Sequence, residues 1–264
     1  MGDEWYDSSK AMIEKAIELD PDIAEPYLAL GLNLLYSGKI HDSLEQYLKA
    51  ASINPNSDAV SAIGQIYCLL GNLVEAVPWL NQAIKLDPTD WVSYRSLGQV
   101  YYDIGRYNDA ERLFLKVNNL MPEHHYALLD LNRLYIVQKQ YEKADSLLLH
   151  TLSNNPENYR VLYCLAEVKM FAGKSTEAKL YFKKVIDIAT IKYGPAVEYG
   201  YFNWKDGKVK EAKDIFAPIK KSNEEEIKEG MENYNYPYEL ARIYSIEGNK
   251  DKALENLKLA IKFG

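Results

Sequence analysis

Apolar side chains in this chain fall into short blocks at helical spacing, and the blocks come in pairs. Between residues 91 and 124, Tyr94, Leu97, Gly98 and Tyr101 fall on one face of a first predicted helix, Gly105 interrupts, and Ala110, Phe114 and Val117 fall on one face of a second. The skeleton Leu97, Tyr101, Gly105, Ala110 returns as Leu240, Tyr244, Gly248, Ala253, while almost everything between differs. Fixed positions separated by free ones mean that the free positions face somewhere the skeleton does not.

The period is close to constant. Small residues recur at Ser9, Ser43, Ala76, Ala110, Ala144, Ala178, Ala212 and Ala253, at spacings of 34, 33, 34, 34, 34, 34 and 41. Pro21, Pro55, Pro88, Pro122 and Pro156 mark the same beat, each closing an apolar run such as AIELDP or VNNLMP. Proline has no N–H to donate and clashes with the preceding turn, so it stops a helix there. The glycine between the two blocks (Gly38, Gly71, Gly105, Gly173, Gly207, Gly248) suits a left-handed helix end. Small residues at Gly31, Gly64, Gly98 and Gly200 let the paired helices approach closely. Each period therefore predicts one helical hairpin, and the chain predicts an all-α fold.

These residues resemble the tetratricopeptide repeat family: a bulky residue, Leu, Gly or Ala, Tyr, then Ala, Phe or Tyr, Ala and Pro at that family's spacing. The resemblance implies a right-handed superhelical solenoid of antiparallel helix pairs. We place repeats at 24–56, 57–90, 91–124, 125–158, 159–192, 193–226 and 234–264, about seven in all, with an insertion at 227–233 and a half repeat at 1–23. All belong to a single solenoid domain, 1–264. Ser9, Ile13, Ala16 and Pro21 fit only a second helix, so the chain is expected to be a piece of a longer one.

Several departures carry their own expectations. Asn132 replaces the small residue and Lys139 the cap glycine of the fourth repeat, which predicts looser packing there. Thr190 and Ile191 stand where a closing proline is missing, so that helix is expected to run long. Pro218 should kink or shorten its helix, and Ser222 with Glu225 has the form of a capping box that opens a short extra helix. Leu259 replaces a polar residue on the last helix and is expected to be partly exposed, an end at which a missing neighbouring domain or a second copy could dock.

Composition excludes several classes. The net charge is -7, with no basic excess of the kind that phosphate contacts demand, so a nucleic-acid partner is not expected. No apolar run is long enough to span a membrane, and MGDEWYDSSK lacks the blocks of a signal peptide. Two cysteines, Cys68 and Cys164, demand no oxidising compartment, and a cytoplasmic setting is favoured.

Candidate chemistry is sparse. No two of the histidines His41, His124, His125 and His150 pair at the spacing that brings ligands onto one metal. GKST at 173–176 has the end of a phosphate loop but no earlier glycine and no preceding strand, so it reads as a turn between helices. Glu224, Glu225 and Glu226 read as a solvated face. No cofactor and no catalytic constellation is expected.

By the resemblance, partner contacts come from the second, fifth, ninth and twelfth positions of each repeat, on a concave face lined by first helices. Those positions include Arg95, Gln99, Tyr102, Tyr126, Arg133, Arg160, Tyr163, Tyr201, Trp204, Tyr238 and Arg242. Arg, Tyr and Trp bring large contact area with a polar handle, as binding hot spots do. The residues predict a scaffold that holds a protein or peptide segment, with a spacer or oligomerisation module as the alternative. Asp130 stands where a chaperone-tail clamp of the family needs asparagine and would repel a carboxylate, so that clamp is not expected.

Overall fold

A computed structural model describes residues 2–122, 125–188 and 194–264, with side chains described from residue 11 onward. His124, Thr190 and Ile191 lie outside the described residues, as does the side chain of Ser9. Among the described residues there are fifteen helices and no strand. The chain divides into two compact units at Leu134 and Tyr135.

The first unit holds α1 (Gly2–Leu19), α2 (Glu25–Tyr36), α3 (Ile40–Ile53), α4 (Ser57–Leu69), α5 (Leu73–Leu86), α6 (Trp91–Asp103), α7 (Tyr107–Leu120) and most of α8 (His125–Val137). The second holds α9 (Tyr141–Asn154), α10 (Tyr159–Phe171), α11 (Ser175–Ile188), α12 (Gly194–Lys205), α13 (Val209–Lys228), α14 (Asn235–Ile246) and α15 (Lys250–Phe263).

Local chemistry sets the helix ends. The Asp90 side chain accepts from the backbone N–H groups of Val92 and Ser93 to open α6, and Asn158 does the same for Arg160 and Val161 in α10. At the far end of α6, Gly105 takes φ 77°, and the N–H groups of Gly105 and Arg106 close back onto Tyr102 and Tyr101 at 3.0 and 2.7 Å. Lys139 adopts the same left-handed geometry, φ 57°, without the freedom of glycine.

Close approach sets the hairpin cores. A Cβ on Gly98 would stand 2.6 Å from the Phe114 ring, and one on Gly200 would stand 2.2 Å from Phe216. Both rings are fully buried. The equivalent side chains Leu80, Leu148 and Phe182 are fully buried too, so one large residue per hairpin forms the centre of each packed layer.

Two expectations need correction. Pro218 does not shorten α13, which runs on to Lys228, and Ser222 lies inside that helix rather than opening a new one. The extension is held from the side: Ile219 and Asn223 are buried, and the Asn223 amide donates to the Tyr236 carbonyl and to Glu239, both at 3.3 Å.

Candidate functional site: two polar clusters on the first helices of each pair

In the first unit, seven side chains of α6 and α8 interlock. Arg95 Nε donates to Asp130 Oδ2 at 2.6 Å, and Arg133 approaches Asp130 Oδ1 at 3.4 Å and also donates to Gln99. Each guanidinium lies over a tyrosine, Arg95 over Tyr126 at 4.4 Å and Arg133 over Tyr102 at 4.8 Å, while Trp91 stacks on Tyr126. Asp130 is only 4% exposed, whereas Arg133 and Tyr126 are exposed and Arg95 half-buried. Five predicted residues, Arg95, Gln99, Tyr102, Tyr126 and Arg133, therefore meet in one place.

Asp130 is the member whose role the sequence misstated. Lying beneath the arginines rather than at the surface, it orients both of them, while Asp103 accepts from the Gln99 amide at 2.7 Å.

The second unit separates its predicted residues. Arg242 donates to Glu198 Oε1 at 2.5 Å and lies 5.9 Å from the Tyr238 ring. Tyr163 packs edge-on against Phe182, and burial pushes its phenol far above the usual range. Trp204 packs against the core around Val197, Phe216 and Ile243. These two are largely packing residues. Val197, also at a predicted contact position, is wholly buried. Arg160 is exposed beside the ring of Tyr159, and Tyr201 is exposed with its ring tilted against Phe202.

A cavity of about 480 Å³ lies between α10, α12, α14 and α15, bordered by Met170, Glu198, Tyr201, Tyr238, Arg242 and Leu257 among others. Glu198 is 8% exposed, and its Oε2 takes no hydrogen bond. Sequence reading passed over Glu198, yet it occupies the same repeat position as Asp130, a carboxylate among small or neutral residues at that place in most repeats.

A buried ion pair was missed as well. Lys169, buried, donates to Asp145 at 2.7 Å and stands 3.1 Å from Glu177. Burial pulls the Lys169 ammonium down, but the two carboxylates outweigh it and hold it above the usual lysine range. Both cysteines are free thiols; burial raises Cys164 strongly and pushes Cys68 up to about 11. Gly173 of the GKST stretch takes φ 76° at the end of α10, and Ser175 begins α11. Among the described residues no cluster of metal-ligating side chains forms, and no helix is long and apolar enough to cross a membrane.

Comparison with known proteins identifies the repeat in three segments of the chain. Sequence models of the TPR repeat match residues 64–105, and those of the tetratricopeptide repeat match residues 3–23 and 238–263. These are tetratricopeptide repeats. The fold is similar to that of a tetratricopeptide repeat protein from Parabacteroides merdae, with a TM-score of 0.64 and 18% identity over 97% of this chain and 92% of that one. Yeast Tom70 matches 99% of this chain, which spans 56% of its length, with a TM-score of 0.73 and 17% identity. YrrB, a TPR protein with an unusual peptide-binding site, matches 67% of this chain and 91% of its own, with a TM-score of 0.54 and 19% identity. No curated protein sequence matches the chain. The helix pairs of this TPR fold put Arg95, Gln99, Tyr102, Tyr126 and Arg133 on first helices, whose faces between the skeleton positions are free to vary.

Proposed function

We propose that this TPR chain is a non-catalytic scaffold that holds an extended or helical segment of a partner protein along its first helices, with an acidic side chain of that segment at Arg95 and Arg133. The observation that carries it is the pair of pre-oriented arginines in the α6–α8 cluster: one buried carboxylate orients both, each over an aromatic face, while the cluster's other carboxylate, Asp103, is taken up by the Gln99 amide. A guanidinium already held in place loses little side-chain freedom when it meets a carboxylate. Peptide binding by the TPR protein YrrB, whose fold this chain shares, supports the same reading. The net charge of -7 favours a protein over a nucleic acid as the partner.

Affinity capture with the wild-type chain and with an Arg95→Glu/Arg133→Glu variant, read by quantitative mass spectrometry, tests the proposal. Partners recovered by the wild type should be depleted on the variant at equal helicity. Equal recovery on both would remove the cluster from the binding surface.

A further inference from the structure

One repeat position holds Tyr67, Tyr101, Tyr135, Lys169, Asn203 and Tyr244 in successive first helices. In the second unit two of its longer members find partners across the helix pairs. Lys169 meets Asp145 on α9 and Glu177 on α11, and the Tyr244 hydroxyl donates to Glu224 on α13 at 2.7 Å. Asn203 is shorter: it is 1% exposed, and neither its Oδ1 nor its Nδ2 has a hydrogen-bond partner. Glu198, also buried on α12, gives Oε1 to Arg242 but leaves Oε2 unmet. Among the described residues, α10, α11, α14 and α15 hold no buried side-chain polar atom without a partner. Unmet polar groups in the interior cost stability, so α12 is held less firmly than the first helices before and after it.

The partner helix α13 is held differently on the two sides of Pro218. That residue has no N–H for the Asp214 carbonyl, so the helix ladder is interrupted there. Beyond it, Lys220 pairs with Glu247 at 2.9 Å, the Asn223 amide donates to the Tyr236 carbonyl at 3.3 Å, and Glu224 takes the Tyr244 hydroxyl. This half is fastened to α14 and its flanking residues. Before Pro218, Ala212 and Phe216 pack with Val197 and Ile243 in an apolar core that keeps the hairpin closed. The ion pair that ties its turn to α11, Lys179 with Asp206, lies at the surface, where such pairs add little.

We infer that α12 and the part of α13 before Pro218 form a gate that opens as one unit ahead of α10 and of the fastened half of α13, uncovering Val197 and Trp204, two contact positions of the repeat that the closed hairpin withholds. The unmet atoms of Asn203 and Glu198 favour opening because both side chains gain hydrogen bonds to solvent when the helix lifts. Pro218 sets the break, since no helix bond from its nitrogen has to be given up there. The gate is independent of the α6–α8 cluster, which lies in the other unit.

A thiol at Val197→Cys, compared with the native Cys164 of α10 in the same molecule, reads the opening directly, because both sites are at most 1% exposed when closed. Under native conditions iodoacetamide should label position 197 at least about tenfold faster than Cys164. Adding Asn203→Leu, which removes both unmet atoms at similar size, should slow labelling at 197 at least about fivefold and leave Cys164 nearly unchanged. Asn203→Tyr, the residue of four other first helices, replaces it should the leucine variant lose helicity. Hydrogen exchange on the unaltered chain removes any effect of the new thiol: amides of 194–217 should exchange faster than those of α10 and of 219–228, with the step at Pro218. Equal labelling of the two thiols, an Asn203 variant that slows both alike, or exchange without a step at Pro218 would overturn the inference. Arg95→Glu/Arg133→Glu should leave the labelling rates as they are, so failure of the gate and failure of the α6–α8 reading give different results.

Discussion

Arg95 on α6 and Asp130 on α8 meet at 2.6 Å across 35 positions of sequence, with the carboxylate buried and the guanidinium half-buried. The two ends of this pair are unequal. Removing both Arg95 and Arg133 strands a buried carboxylate and should cost about 2–3 kcal/mol, whereas Asp130→Ala lets both arginines turn to water and should cost about 1 kcal/mol. Urea unfolding of the two variants checks the order; equal losses would mean that Asp130 is solvated.

Gly98 and Phe114 allow a paired test of packing. The Cβ of Gly98→Ala would fall 2.6 Å from a fully buried ring, and the strain should cost about 1–3 kcal/mol. Adding Phe114→Leu should recover part of the loss, making the double substitution less harmful than the sum of the singles. A strictly additive pair would contradict the contact.

Lys139 holds a backbone conformation that glycine adopts at the other hairpin turns. Lys139→Gly should therefore raise stability by about 0.5–1 kcal/mol, readable as a higher Tm.

Alkaline pH should unfold the chain through groups that keep their protons when folded. Burial, together with the Tyr244 hydroxyl donating to Glu224 at 2.7 Å, pushes that phenol up to about 12, against about 10 in an unfolded chain. The folded state then binds more protons, so this contribution is complete below pH about 10 and lost as pH rises through about 12. Lys169 acts in the same direction. Stability measured from pH 8 to 12 should fall, and Tyr244→Phe should flatten the fall.

Cys68, with its thiol pushed up to about 11, should be almost inert to alkylation in the native state at pH 8, where only about one molecule in a thousand carries the thiolate. Burst labelling of both cysteines should appear only on adding denaturant.

Much of this was legible in the chain because the cues are local. Glycine at a helix end, proline after an apolar run and a small residue where paired helices approach each act within one hairpin, so spacing alone located Gly105, Pro122 and Gly98. The α6–α8 residues came instead from the resemblance, through the contact positions it implies for each repeat. What failed depended on depth. The burial of Asp130 beneath the arginines was not legible, because sequence shows position on a helix but not how far a neighbour covers it. Tyr163, Trp204 and Val197 sit at contact positions of the repeat, yet large neighbours such as Phe182 and Phe216 draw them into the core. Pro218 read as a stop, but Asn223 ties the helix beyond it to α14, a bond between segments that no periodicity records. Leu259, expected to be partly exposed on the last helix, is half-buried there.

The central claim is that the α6–α8 cluster selects a partner by an acidic side chain, and the most direct measurement is calorimetric titration of the captured partner segment against the wild type and against Arg95→Glu/Arg133→Glu. The account predicts a Kd at least about tenfold weaker for the variant, with helicity unchanged, and wild-type affinity that falls as salt rises. A variant that binds as tightly as the wild type, at low and high salt alike, would contradict it.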